Sequence, residues 1–176
     1  MDAVFHAGVE LGRAEILRLD RKNGAAHLSR AAADLNRAGI PALRNEASTV
    51  MAVSRNWKAR AAEIPQIIAR IQALGGRTYQ AISAGVLLGL AIEACRLAGK
   101  DTDTATAKTQ LLDWLNGAKA HTRALKDQGL VPSMPNFDSR FNSVITPIQL
   151  IKQASELPNH SQLIENLSNQ VGNAIR

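Results

Sequence analysis

The chain has 176 residues, a formal net charge of +6 at pH 7, 45% hydrophobic residues and only 3% aromatic ones. That length and apolar fraction predict one domain, residues 1–176, with a sizeable core, and exclude a disordered chain. Scarce aromatics and abundant alanine favour helix over sheet, because strands draw on aromatic and β-branched side chains.

Residues 2–38 carry an apolar stripe of Phe5, Val9, Ile16 and Leu19, continued by Leu28, Ala31, Leu35 and Ala38. This spacing predicts a helix with Asp2 as its N-cap. Asn23 and Gly24 weaken the middle by about 1 kcal/mol relative to alanine. With no proline between the two parts, one continuous or bent helix is expected, ending at Gly39 before Pro41. Beyond it, Leu43, Val50, Trp57, Ile64 and Ile71 recur every seven residues, with Ala47, Ala61 and Ile68 four residues after members of that series. The repeat reads as a coiled-coil-like seam with Trp57 in the core. Pro65 imposes a kink or a new helix that ends at Gly75 and Gly76. Residues 1–76 are thus expected to form a long antiparallel coiled-coil-like hairpin, with a helical bundle in residues 77–176.

Residues 77–99 are apolar on nearly all sides and predict the most buried helix, capped by Gly99. Ala81, Gly85 and Gly89 are spaced by four, a row that lets another backbone come close, so a subunit interface is expected there. The apolar run 81–94 is too short to span a bilayer, and no membrane partner is expected. Cys95 reads as a small core residue. A lone cysteine excludes an intrachain disulfide and points to a reducing compartment. A polar connection at 101–106 precedes a helix over 104–128 with Leu111, Leu112, Trp114, Leu115 and Leu125 facing inward. Gly129 ends that helix. A last helix over 160–175 shows Leu163, Ile164, Leu167, Val171 and Ile175 on one face.

Between these helices lies a proline-containing segment. Pro132, Pro135 and Pro147 fall within residues 129–149, so no continuous helix is expected to cross it. Asp138 or Ser139 can cap a short turn, and Thr146 followed by Pro147 reads as the start of a helix over 147–156. A further break is expected at 157–159.

No catalytic set emerges. The histidines His6, His27, His121 and His160 form no metal-binding pattern, so zinc is not expected, and His121 reads as a surface residue. Gly75, Gly76, Arg77 and Thr78 lack the lysine and preceding strand of a phosphate loop. Ser83 lies within a helix and makes no nucleophile elbow. Neither a cofactor nor an enzymatic activity is expected. Charge is uneven: residues 1–77 hold twelve Lys/Arg and seven Asp/Glu, net +5, against nine and eight, net +1, in residues 78–176. A basic half suits a solvated face or an anionic partner.

The ordered set Gly129, Leu130, Pro132, then Asp138, Ser139 and Arg140, then Thr146, Pro147, Ile148 and Gln149 resembles the polarity suppression protein family of satellite phages. Leu111, Leu112, Asp113, Trp114 and Leu115 upstream are similar to that family's Leu-Leu-Ser-Trp-Leu. The resemblance covers about residues 108–157, and the spacing between Arg140 and Thr146 is longer here than in the family. It implies an all-α, intertwined homodimer that binds the ring-shaped bacterial transcription termination factor Rho and suppresses termination in the host cytoplasm. It also implies decoration of a phage capsid on the virion. Carried onto this chain, the partner-contact residues are Gly129, Pro132, Asp138, Ser139, Arg140, Thr146, Pro147 and Gln149. Arg140 and Gln149 are the most contact-capable, and Asp138 is expected to fix the loop. The alternative is a helical capsid-decoration or nucleic-acid-associated protein without Rho activity.

Overall fold

A computed structural model describes residues 1–97, 104–131, 134–150 and 160–175, the side chains of 104–109 excepted. Among them the regular structure is entirely helical. The expected cap at Gly99, the connection at 101–103, Pro132 and the break at 157–159 lie outside the described residues.

Helix α6 (Gly76–Leu97) is the axis of the molecule. It packs against α1 (Asp2–Leu19), α5 (Ile64–Gln72), α7 (Thr104–Asp127) and α9 (Ser161–Ile175). By length and composition α6 could cross a membrane, contrary to the estimate from its apolar run, yet 78% of its apolar window is buried within the bundle. The tightest contact is with α1, which runs parallel to it. A Cβ added to Gly85 would sit 2.1 Å from the Phe5 carbonyl oxygen, and one on Gly89 2.1 Å from that of Val9. From the other side, a Cβ on Gly12 would lie 2.2 Å from the Val86 oxygen and one on Gly8 2.6 Å from that of Ile82. Two rows of glycine spaced by four therefore interlock, and only hydrogen fits between the backbones. The row expected at a subunit interface, Ala81, Gly85 and Gly89, is buried under α1 of the same chain. Gly8 and Gly12 of α1 supply the facing row, with the same spacing.

The expected helix over 2–38 is two helices. Lys22 N–H bonds the Leu17 carbonyl at 2.7 Å and Arg21 N–H that of Arg18 at 3.1 Å, which closes the end of α1. Asn23 Oδ1 then accepts the Ala25 N–H at 2.8 Å and starts α2 (Ala25–Arg37), which folds back along α1. The reversal buries Leu28, Ala31 and Leu35, which a straight helix would leave in solvent. Packing thus overrides the propensity that favoured continuity.

The seven-residue seam is likewise folded up. Helix α3 (Pro41–Arg55) stops at Asn56. A short helix α4 (Trp57–Arg60), a 3-10 turn and α5 follow, with Pro65 in the first turn of α5. Leu43, Val50, Ile64 and Ile71 are fully buried, so the repeat marks the core correctly, but they reach it from separate helices in place of one long hairpin. Trp57 is half-buried, with its ring tip against Gly24.

Helix α7 runs antiparallel to α6, its Gly117 facing Leu87. Helix α8 (Phe137–Leu150) returns along α7, and α9 returns along both α8 and α1. Ile164, Leu167, Val171 and Ile175 of α9 are buried, whereas Leu163, expected on the same face, is 45% exposed.

Candidate partner-contact surface

The residues of the proline segment occupy a helix and its approach, not a loop. Helix α7 ends where Gly129 adopts φ +78°. There the Leu130 N–H bonds the Leu125 carbonyl at 3.0 Å and the Gly129 N–H that of Lys126 at 2.8 Å, a left-handed glycine cap. Val131 and Met134 then turn into the core and pin the approach. Asn136, at φ +55°, offers its carbonyl to the Arg140 N–H at 2.9 Å, and α8 begins.

Helix α8 continues straight through Pro147, so the helix start expected at Thr146 and Pro147 does not occur there. The reason is packing. Phe137, Phe141, Val144, Ile145 and Ile148 form one buried stripe that extends past the proline. Each such side chain contributes about 1.5–3 kcal/mol on burial, against about 3 kcal/mol for a proline within a helix. Pro147 removes the N–H that would have bonded the Ser143 carbonyl, at a half-buried position on the helix flank.

Asp138, Ser139, Thr146 and Gln149 share the exposed side of α8, spread along nearly its whole length. Asp138 and Arg140 leave that line in opposite directions. The Asp138 carboxylate, 58% exposed, pairs with the Arg123 guanidinium and lies 3.5 Å from Lys119 Nζ, tying α8 to α7. The Arg123 hydrogen bond, with the charges of Arg123 and Lys119, holds the Asp138 carboxyl below the usual carboxylate range. Arg140 Nη1 donates to Gln170 Oε1 at 2.8 Å and ties α8 to α9. Arg140, Met134, Gln170, Asn173 and Ala174 line an open cleft of about 230 Å³. Asp138 therefore braces two helices where it was expected to fix a loop, and Arg140 braces α8 against α9.

Sequence reasoning missed the cations of α7. Arg123 and Lys126 both lie over the Phe137 ring, at 5.2 and 5.3 Å from its centroid, and Phe137 stacks in turn on Phe141 at 5.2 Å. The spacing Lys119, Arg123, Lys126 on one helical face was the available signal.

It also missed a buried ionic cluster between α1, α2 and α6. Glu93, with 4% of its side chain exposed, accepts from Arg13 Nε at 2.7 Å and Arg96 Nη1 at 3.1 Å. Glu10 Oε2 lies 2.5 Å from His27 Nδ1 and 3.6 Å from Arg30. Burial opposes the Glu10 charge, but the hydrogen bond and charge of His27, with Arg13 and Arg30, leave its carboxyl below its ordinary value. The paired partners make this a structural network, with no nucleophile among its members.

Two smaller expectations are settled by position. His121 is half-buried, not a surface residue. It stacks edge-on against Tyr79 at 5.4 Å and its Nδ1 meets Gln80 at 2.8 Å, and burial lowers its pKa. Cys95 is buried, and desolvation pushes its thiol up to about 12, where it is inert. His6 lies 3.3 Å from Asp2, an i,i+4 pair overlooked in the sequence. Among the described residues no group of three or more His, Cys, Asp and Glu is placed to hold a metal ion. Set against family models, curated proteins and solved structures, the chain matches none of them.

Proposed function

We propose that this protein is a non-enzymatic helical binder that inhibits the transcription termination factor Rho, acting as a homodimer and also able to decorate a phage capsid. One observation carries the reading. The ordered set from Gly129 to Gln149, which resembles the polarity suppression family, presents Asp138, Ser139, Thr146 and Gln149 along the exposed side of a single helix. Arg140 flanks that side and, with Gln170, borders an open cleft. A rigid helix face with a line of exposed polar groups suits recognition of a large partner at low ordering cost. Dimerisation is supported by Leu150 and Leu163, 74% and 45% exposed near the adjoining ends of α8 and α9, where a second copy would bury them. Two copies of one surface could bridge subunits of a ring, and preferential binding to one ring state would inhibit it.

The direct test is binding of purified protein to purified Rho, followed by a termination assay. Arg140→Ala is expected to weaken binding at least tenfold with unchanged circular dichroism. Gln170→Ala separates recognition from bracing. If Arg140 acts only as a brace between α8 and α9, both variants lose binding equally. Absence of wild-type binding to Rho ends the proposal. A species that sediments as a monomer at micromolar concentration ends its dimeric part.

A further inference from the structure

A second surface lies at the other end of the bundle and stands independently of the α8 reading. Arg140 sits beside the end of α9 that packs on the start of α1, whereas this surface surrounds the point where α1 stops. There the turn 20–24 meets the junction of α3 and α4. Ser54 Oγ donates to the Ala25 carbonyl at 2.7 Å, and the Trp57 ring tip lies against Gly24. The contact joins the turn that carries Arg21 and Lys22 to the junction that carries Arg55 and Lys58, and all four residues are exposed. Lys22 pairs with Asp20 at 3.0 Å. Among the described residues, Arg21, Arg55 and Lys58 have no ion-pair partner. Most arginines elsewhere differ: Arg13, Arg18, Arg37, Arg60, Arg70, Arg96 and Arg123 each pair with a carboxylate.

The backbone adds an independent observation. The left-handed residue after a helix is normally glycine, and Gly39, Gly75 and Gly129 serve at φ +71°, +69° and +78°. After α1 the same position is Arg21, at φ +58°. An L-side chain there is strained, and strain of this kind persists where the side chain is needed for something else. Arg21 has no acidic partner among the described residues to account for it.

We infer that this tip, Arg21, Arg55 and Lys58 with Lys22 beside them, is a binding site for the phosphate backbone of nucleic acid. Guanidinium groups match phosphate oxygens in a fixed fork, and unpaired cations release no internal carboxylate on binding. The apolar surface beside them is too small to favour a lipid surface: among the described residues, Leu19 is the one large exposed hydrophobic near the tip. Recognition by these groups is independent of base sequence.

The test is fluorescence anisotropy of a short labelled single-stranded RNA with the full chain, over a salt series. Three phosphate contacts at about 0.7 each predict a slope of log K against log salt of about −2. The double variant Arg55→Glu/Lys58→Glu is expected to lose at least about tenfold in affinity at low salt. Arg21→Gly is expected to weaken RNA binding several-fold while raising the thermal unfolding midpoint, a combination that a structural role for Arg21 would not produce. Arg123→Glu, on the opposite end, is expected to leave RNA affinity unchanged. The inference is overturned if wild-type protein does not bind RNA at low salt, or if Arg123→Glu weakens binding as much as the tip variant. It is also overturned if vesicles containing phosphatidylserine retain the protein while RNA does not. Rho binding is measured separately, so failure here leaves the α8 reading intact.

Discussion

The crossing of α1 on α6 and the corner of α7, α8 and α9 are held in opposite ways. At the crossing, backbone meets backbone: four glycines interlock, and just beyond them a buried carboxylate gathers two arginines. At the corner, exposed side chains reach across, Asp138 to Arg123 and Arg140 to Gln170. The first arrangement has no slack, because a backbone cannot change rotamer. The second can exchange its partners for groups on another molecule at small cost, because exposed pairs contribute little to stability. Substitutions at the crossing should therefore break the fold, and those at the corner should alter binding alone.

The largest expected effect tests the first half of that contrast. Glu93→Ala leaves Arg13 facing a buried site with its main partner gone, a loss of about 3–5 kcal/mol in urea unfolding. A loss below about 1 kcal/mol would mean that the Glu165 carboxylate, 3.7 Å from Arg13, substitutes for it. Next comes Gly85→Ala. Its methyl group would meet the Phe5 carbonyl at 2.1 Å, and the two helices must separate, costing about 3 kcal/mol. Gly39→Ala is the control. It is strained at φ +71° but meets nothing within 4 Å, so only about 1 kcal/mol is expected.

These two regions were also unequally legible in the sequence. The all-helical class, the core positions of the seven-residue repeat and the close-packing row at Gly85 and Gly89 follow from local pattern. What pattern could not tell was who packs against whom. The Gly8 and Gly12 row has the same spacing but sits in a helix whose apolar stripe drew the reading, so its meaning appears only once α1 lies on α6. The turn at Asn23 and Gly24 was visible as a weakness of about 1 kcal/mol. The burial of Leu28 and Leu35 that converts it into a reversal was not. Pro147 misled in the other direction: the local rule against a proline in a helix is sound, and the buried stripe through Ile148 outweighs it. The residues of the candidate surface were therefore misread in shape, as a loop where a helix face stands.

Pro147 gives the third prediction. Pro147→Ala restores an N–H to a helix that already passes through the position, so stability should rise by about 2 kcal/mol. If the proline serves the proposed contact surface, the proposed binding to Rho should fall as stability rises. A destabilised variant would show that the surrounding packing has adapted to the missing bond.

The fourth concerns acid. The folded-state carboxyl of Glu10 titrates below its unfolded value of 4.5. Such a group contributes stability above that value, and the contribution is lost as pH falls through the lower, folded value. His27→Ala removes the hydrogen bond that sustains the shift, at about 1.5 kcal/mol near neutral pH. Burial then dominates and lifts the folded carboxyl above its unfolded value, so Glu10's share of the loss in urea midpoint on acidification should vanish or reverse in the variant.

The smallest effect has the opposite sign. Glu15 also lies on α1, with Arg18 on one carboxylate oxygen and no hydrogen-bond partner on the other, which is buried. Burial raises its carboxyl above the ordinary value, more than Arg18 can offset. A group raised on folding favours the fold below its unfolded pKa and loses that advantage as pH rises through the folded value, so at neutral pH the charge is a burden. Glu15→Gln removes the charge and keeps an acceptor for Arg18. A gain of about 0.5 kcal/mol is expected at neutral pH, shrinking as the wild-type carboxyl protonates in acid. A gain that persists unchanged into acid would assign the effect to helix propensity and not to the buried charge.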